Sequence, residues 1–141
     1  MNNTQTNVLR GPIVRPASET LTDLEGRLVM IVNDSGASKL ALPNAIGDYA
    51  FLLLTDGAAI GENAVAIPLD PTQEARIRLN GTCVPGDVLV LAAINGTTDG
   101  MVRKLPTATG TYRGLAIAQE TGADTQLVLV RPAPIGNIVV T

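Results

Sequence analysis

A seven-residue pattern occurs twice in this chain. Pro43-Asn44-Ala45-Ile46-Gly47-Asp48-Tyr49 returns as Pro106-Thr107-Ala108-Thr109-Gly110-Thr111-Tyr112, both reading P-x-x-x-G-x-Y, 63 residues apart. The two copies hold both tyrosines of the protein. Pro stops an extended run, Gly turns the chain, and Tyr opens a new strand. A signature of that kind, met twice, constrains the chain to two similar β-units. The spacing is too long and the copies too few for a solenoid.

The strand pattern around each copy matches. In the first, 27–32 is a strand, 33–36 a turn, 39–42 a strand stopped by Pro43, 48–54 a strand, and 64–69 a fourth. In the second, 87–93 is a strand, 95–100 a turn, 101–105 a strand stopped by Pro106, 111–118 a strand, and 126–130 a fourth. Gly26 and Gly86 open the two units. The expectation is an all-β chain, a small barrel or sandwich of two tandem four-strand units with pseudo-twofold symmetry. The units cover about 25–69 and 85–130, joined by a linker at 70–84 within a body at 23–141. In that linker, Arg76-Ile77-Arg78-Leu79 alternates like a strand with one wet face, and 71–75 allows a short helical turn. Pro132-Ala133-Pro134 reads as a break, with Ile138-Val139-Val140 beyond it as an extra strand.

Residues 1–22 stand apart as an extended N-terminal arm. Pro12 and Pro16 enforce extended backbone at and before them. Val8, Leu9, Ile13 and Val14 are more apolar than a solvated tail requires. Arg10 and Arg15 make residues 1–18 basic, with no acid, while 19–141 carries eight bases against thirteen acids. The six residues Val8, Leu9, Arg10, Ile13, Val14 and Arg15 are therefore the expected partner contacts, an arm that orders on a neighbour.

Composition narrows the functions available. With 45% hydrophobic residues in 141, the chain can bury a core, and Ala, Val, Leu and Ile supply it because aromatics make up only 2%. A formal charge of −3 with no basic patch and few rings gives no footprint for nucleic acid. The longest apolar run, 88–94, is too short to span a bilayer as a helix. One cysteine leaves no internal disulfide, and the polar start resembles no signal peptide. Synthesis in a cytoplasm-like reducing space is expected.

Catalytic equipment is scarce. There is no histidine, which removes the commonest general base and metal ligand. Cys83, between Thr82 and Val84, lacks a partner to activate it and reads as a small core residue. The acids Asp48, Asp56, Glu62, Asp87, Asp99, Glu120 and Asp124 lie mostly at expected turns, and Asp56 and Asp99 lack the spacing of a calcium loop. No catalytic, cofactor-binding or metal-ligating residue is assigned. Pro43, Gly47, Tyr49, Pro106, Gly110 and Tyr112 are read as structural, each tyrosine ring covering one end of its unit with its hydroxyl bonded to a loop.

One further pattern is familiar. Gly86-Asp87-Val88-Leu89-Val90, Val102-Arg103-Lys104-Leu105-Pro106, Gly110-Thr111-Tyr112-Arg113-Gly114-Leu115-Ala116 and Leu127-Val128-Leu129-Val130 together resemble the small β-rich decoration (cement) proteins of tailed-phage capsids. The first unit departs from it, with Gly26-Arg27 in place of Gly-Asp and Ala50-Phe51 in place of Arg113-Gly114. The resemblance spans roughly 25–130 and omits the arm. It implies a non-enzymatic virion protein, made in the bacterial host cytoplasm, that binds the outer surface of the assembled shell. Such a protein, often a trimer at threefold positions, takes no cofactor and bridges neighbouring major-capsid subunits. The rival readings are another virion β-module, of tail or baseplate, and a carbohydrate-binding or carboxylate-dependent hydrolase domain.

Overall fold

A computed structural model describes residues 11–141, and no residue among them is helical. Ten strands follow one another: β1 (Ile13–Pro16), β2 (Leu28–Asp34), β3 (Ala37–Ala41), β4 (Leu52–Asp56), β5 (Asn63–Pro68), β6 (Ala75–Arg78), β7 (Val88–Leu91), β8 (Val102–Lys104), β9 (Gly110–Ala118) and β10 (Leu127–Val140). They form two five-stranded antiparallel sheets, ordered β1-β5-β4-β2-β3 and β6-β10-β9-β7-β8. The protein is all-β, as expected. Each unit has five strands where the sequence pattern marked four. The fifth comes from the arm in one case, β1, and from the linker in the other, β6. The possible helical turn at 71–75 is a plain turn running into β6.

The two sheets have the same strand order, and their registers match pair for pair. Pro16 faces Asn63 as Arg78 faces Leu127. Leu28 faces Leu53 as Val88 faces Ile117. Leu40 faces Ile31 as Val102 faces Leu91. The loops match as well: Gly26 N–H donates to Leu54 O and Gly86 N–H to Ala118 O, both at 2.9 Å. Both glycines have positive φ, +90° and +93°, which a side chain would strain. Each sheet curls until its ends meet. Short parallel bridges, Ala17 to Leu40 and Leu79 to Val102, join the end of the first strand to the third. We call the curled sheets the N-lobe and the C-lobe.

Strand alternation sorts the residues into two cores. Val29 turns into the N-lobe with Ala17, Leu21, Leu40, Leu54, Ala64 and Ala66. Its neighbour Leu28 turns the other way and enters the C-lobe core beside Ile77, Leu79, Leu89, Leu91, Val102 and Leu115. Ala50 and Leu69 enter with it, and Met30, Phe51 and Leu53 pack against the same cluster. Burying Leu28 is worth about 1.5–3 kcal/mol. One β-strand therefore serves both interiors.

The junction between lobes is head to tail. Gly26 O accepts from Arg78 N–H at 2.7 Å, and Leu28 N–H donates to Gly100 O at 2.7 Å. Arg27 Nη1 donates to Thr97 O at 2.8 Å and Asp99 O at 3.0 Å. Residues 26–28 thus lie between β6 and the turn that leads into β8, closing that side of the C-lobe. Burial, and then the neighbouring Arg78, pull the Arg27 guanidinium below its ordinary value. Pseudo-twofold symmetry would need the reciprocal bond, from the N–H of Pro16 to Gly86. Proline has no N–H to give, so this contact is made in one direction only.

The break expected at 132–134 is also absent. β10 runs on to Val140, bulging between Pro132 and Gly136 while it stays paired with β9 through Val140↔Gly110. Prolines are tolerated there because β6 pairs only with Leu127–Val130, leaving the other edge of β10 open from Arg131 onward.

Candidate functional site

The residues the sequence marked as contacts divide in two. Val8, Leu9 and Arg10 lie outside the described residues. Ile13, Val14 and Arg15 are not on a separate arm but in β1, zipped to β5 through Ile13↔Ala66, Val14↔Val65 and Arg15↔Ala64. The extended backbone that Pro12 and Pro16 impose is real, and its first neighbour is the chain's own sheet. Val14 remains 47% exposed. Arg15 is exposed, and its Nη1 donates to Val14 O at 2.7 Å.

The two tyrosines have unlike surroundings. Tyr112 is buried, facing Ile138 across the β9–β10 pair, and its hydroxyl donates to Ala108 O at 3.1 Å. The Arg103 guanidinium lies 5.9 Å from its ring centroid. The Tyr112 hydroxyl is thus bonded to the loop that precedes β9. Tyr49 is 49% exposed and precedes β4 rather than lying in a strand. Its ring stacks on Phe51 at 5.2 Å, and Arg113 of the C-lobe covers it at 5.3 Å while donating from Nε to Gly47 O at 3.1 Å. Tyr49 works as an inter-lobe clamp. The physical reason is register. Matching strands are 62 residues apart at Pro16 and Arg78 and 64 apart at Ala66 and Val130, so the motif, at 63, is one residue out of frame. In a period-two structure one residue of slip reverses the side on which a chain presents its residues.

Chemistry-bearing groups do not converge. No cluster of metal-ligating side chains exists among the described residues. Cys83 is buried beside Gly122, its Sγ 3.7 Å from Glu120 O, and burial pushes its thiol above the ordinary value. It is a core residue and a poor nucleophile. Several of the acids are engaged by backbone N–H groups of loops. Asp48 Oδ2 accepts from Asn44 and Ala45 N–H, Asp99 Oδ1 from Asn95 and Gly96 N–H, and Asp124 Oδ1 from Gly81 N–H. Asp87 accepts from Val84 N–H and pairs with Lys104 at 3.3 Å.

What distinguishes one surface from another is the outward face of each sheet. On the C-lobe it carries ion pairs, Arg76–Glu120 at 2.8 Å and Arg131–Glu74 at 3.4 Å. The Glu120 carboxyl is held below its usual range first by the Leu129 N–H, then by Arg76. On the N-lobe the positions matching Arg76 and Arg131 are Val14 and Ile67. Ile67 is 44% exposed. Sequence reasoning marked Val14 but missed Ile67, because the signal is a comparison of matched positions and needs the strand frame.

No protein-family model matches the chain, and no curated protein matches it. Among solved structures it is similar to the N base of the head fiber gp8.5 of bacteriophage phi29. That likeness has a TM-score of 0.63 at 17% identity, and covers 89% of this chain and 96% of that one. It is a likeness of fold.

Proposed function

We propose that this chain is a structural protein of a phage virion. It binds the outer surface of the capsid and stabilises the shell by bridging neighbouring major-capsid subunits. The observation that carries the reading is the fold it shares, over nearly its whole length, with the base of a phage head fiber. The sequence pattern of residues 86–130 points the same way independently. The chemistry supports binding without turnover: no histidine, a buried thiol, and acids such as Asp99 and Asp124 held by loop N–H groups. The protein acts as a homo-oligomer, with a trimer favoured, uses no cofactor, and engages neither nucleic acid nor membrane. The matching strand order and register of the lobes support an origin by duplication of one five-strand unit.

The experiment is a reconstruction of particles carrying the protein. Density on the outside of the head at sites shared by capsid subunits is the expected result. Density confined to the tail or baseplate would replace the reading with a tail module. The N-terminal contacts are tested on the same particles by deleting residues 1–10, which leaves β1 in place. Occupancy on the head falls while the circular dichroism spectrum is unchanged. Full occupancy would remove Val8, Leu9 and Arg10 from the contact set.

A further inference from the structure

The outward face of the N-lobe carries an apolar run that is continuous from open solvent into the junction. Val14 pairs with Val65, Ile67 stands two residues along the same face, Ile67 pairs with Leu53, and Leu53 pairs with Leu28. Leu28 is buried in the C-lobe core and Leu53 packs against it. Val14 and Ile67, at the other end, are 47% and 44% exposed. Single exposed apolar side chains are ordinary. A contiguous cross-strand row that continues a packed interface is not. At the matched C-lobe positions Leu129 stands for Val65, but the two exposed sites, those of Val14 and Ile67, hold Arg76 and Arg131 in ion pairs.

We propose that the strip Val14–Val65–Ile67 is where a second copy of this chain docks. This deepens the homo-oligomer reading above and rests on it. The choice of occupant follows from the junction. The inner part of this face is already covered by a lobe of the same fold, and the outer part offers the same apolar chemistry without charge. The molecule also carries a counter-surface. Beyond Pro132 one edge of β10 is open, and it exposes Ile135 and Val139, the latter at 69%. A strip on one lobe meeting a ribbon on the other makes a head-to-tail contact between copies, the type that closes into a ring.

The test is the solution mass of the full chain by light scattering, with no particles present. The wild type is expected at a multiple of 14.6 kDa. V14R/I67R, which installs the residue type the C-lobe carries at these positions, is expected to fall to a single chain with an unchanged circular dichroism spectrum. V139R is expected to do the same, and I60R, at an exposed site elsewhere, keeps the wild-type mass. If V14R/I67R does not fold, V14T/I67T, still β-branched, is read in its place. A monomeric wild type at its highest soluble concentration overturns the proposal, as does a folded V14R/I67R or V139R of undiminished mass. Particle binding is scored separately. A wild-type monomer that still decorates heads overturns the strip and leaves the virion reading standing. A V14R-sensitive oligomer that binds no particle supports the strip and sinks the virion reading.

Discussion

The N-lobe and the C-lobe share a strand order and a register, yet little of their contents. The N-lobe core is small, built on Ala17, Ala64 and Ala66 with a few larger side chains. The C-lobe core is larger and borrows Leu28, Ala50 and Leu69 from its neighbour. The N-lobe joins β2 to β3 through Ser35 and Gly36, both at positive φ, the tight hairpin that follows strand twist. The matching C-lobe connection is longer, and its carbonyls at Thr97, Asp99 and Gly100 receive Arg27 and Leu28. Topology is thus insensitive to which apolar residues fill the core, whereas loops and outward faces are free to specialise. The differences between lobes locate the contacts, and the shared frame supports them.

Four tests would break or sharpen that contrast. The largest effect belongs to the tyrosines. Tyr112→Ala is expected to destabilise the fold by ~3–5 kcal/mol in urea unfolding, as for a buried aromatic. Tyr49→Ala should cost about 1 kcal/mol, the worth of a stack and a cation–π contact near the surface. Equal losses would mean that the two rings are equivalent after all. Next is the shared strand. Leu28→Ala should cost about 2–5 kcal/mol, and amide exchange should quicken in β6 and β8 more than in β1. Faster exchange confined to the N-lobe would place Leu28 outside the C-lobe core.

A third, smaller change tests the receiving turn. Gly100 has φ +81°, and a Cβ there would meet Leu28 O at 2.5 Å. Gly100→Ala is expected to lower stability by about 1–3 kcal/mol through backbone strain. Gly36→Ala, in open space, shares the φ penalty without the contact, so any excess at Gly100 measures the junction. Identical melting shifts would show that the contact contributes nothing. The smallest effect is electrostatic. The Glu120 carboxyl is held below its ordinary 4.5 in the folded chain. Its contribution is therefore full above that value and lost as pH falls through the lowered one. Glu120→Gln should melt below wild type near neutral pH and converge with it in acid. A gap that persists in acid would trace the loss to shape instead of charge.

Most of the fold was legible because strands announce themselves by apolar runs between Gly, Pro and Asn turns. Leu28–Asp34, Val88–Leu91 and Gly110–Ala118 fall where those runs do. β1 hides in the arm, and β6 in the linker shows only the alternation of Arg76–Leu79, for a physical reason. Each is only four residues long, carries one or two arginines, and gains its identity from pairing with β5 or β10. The passage of β10 through two prolines was hidden because the tolerance depends on an open edge, which is a property of the sheet. Tyr49 was misplaced by a one-residue frame slip that only the registers disclose. The apolar strip needed the same knowledge, since Ile67 is unremarkable until it is set against Arg131.

Residues 26–28 close one side of the C-lobe, and this orders events in time. In a chain made from its N-terminus, residues 26–28 precede every strand of the C-lobe. The C-lobe, when it forms, finds part of its wall already in place, with Leu28 waiting for its core. The first half acts as a template for the second. A fragment beginning at residue 70 would lack that wall and leave Arg78 N–H and Gly100 O without their partners. Proteolysis between the lobes would therefore leave the C-lobe half without that wall and bare Leu28, Ala50 and Leu69 on the other half.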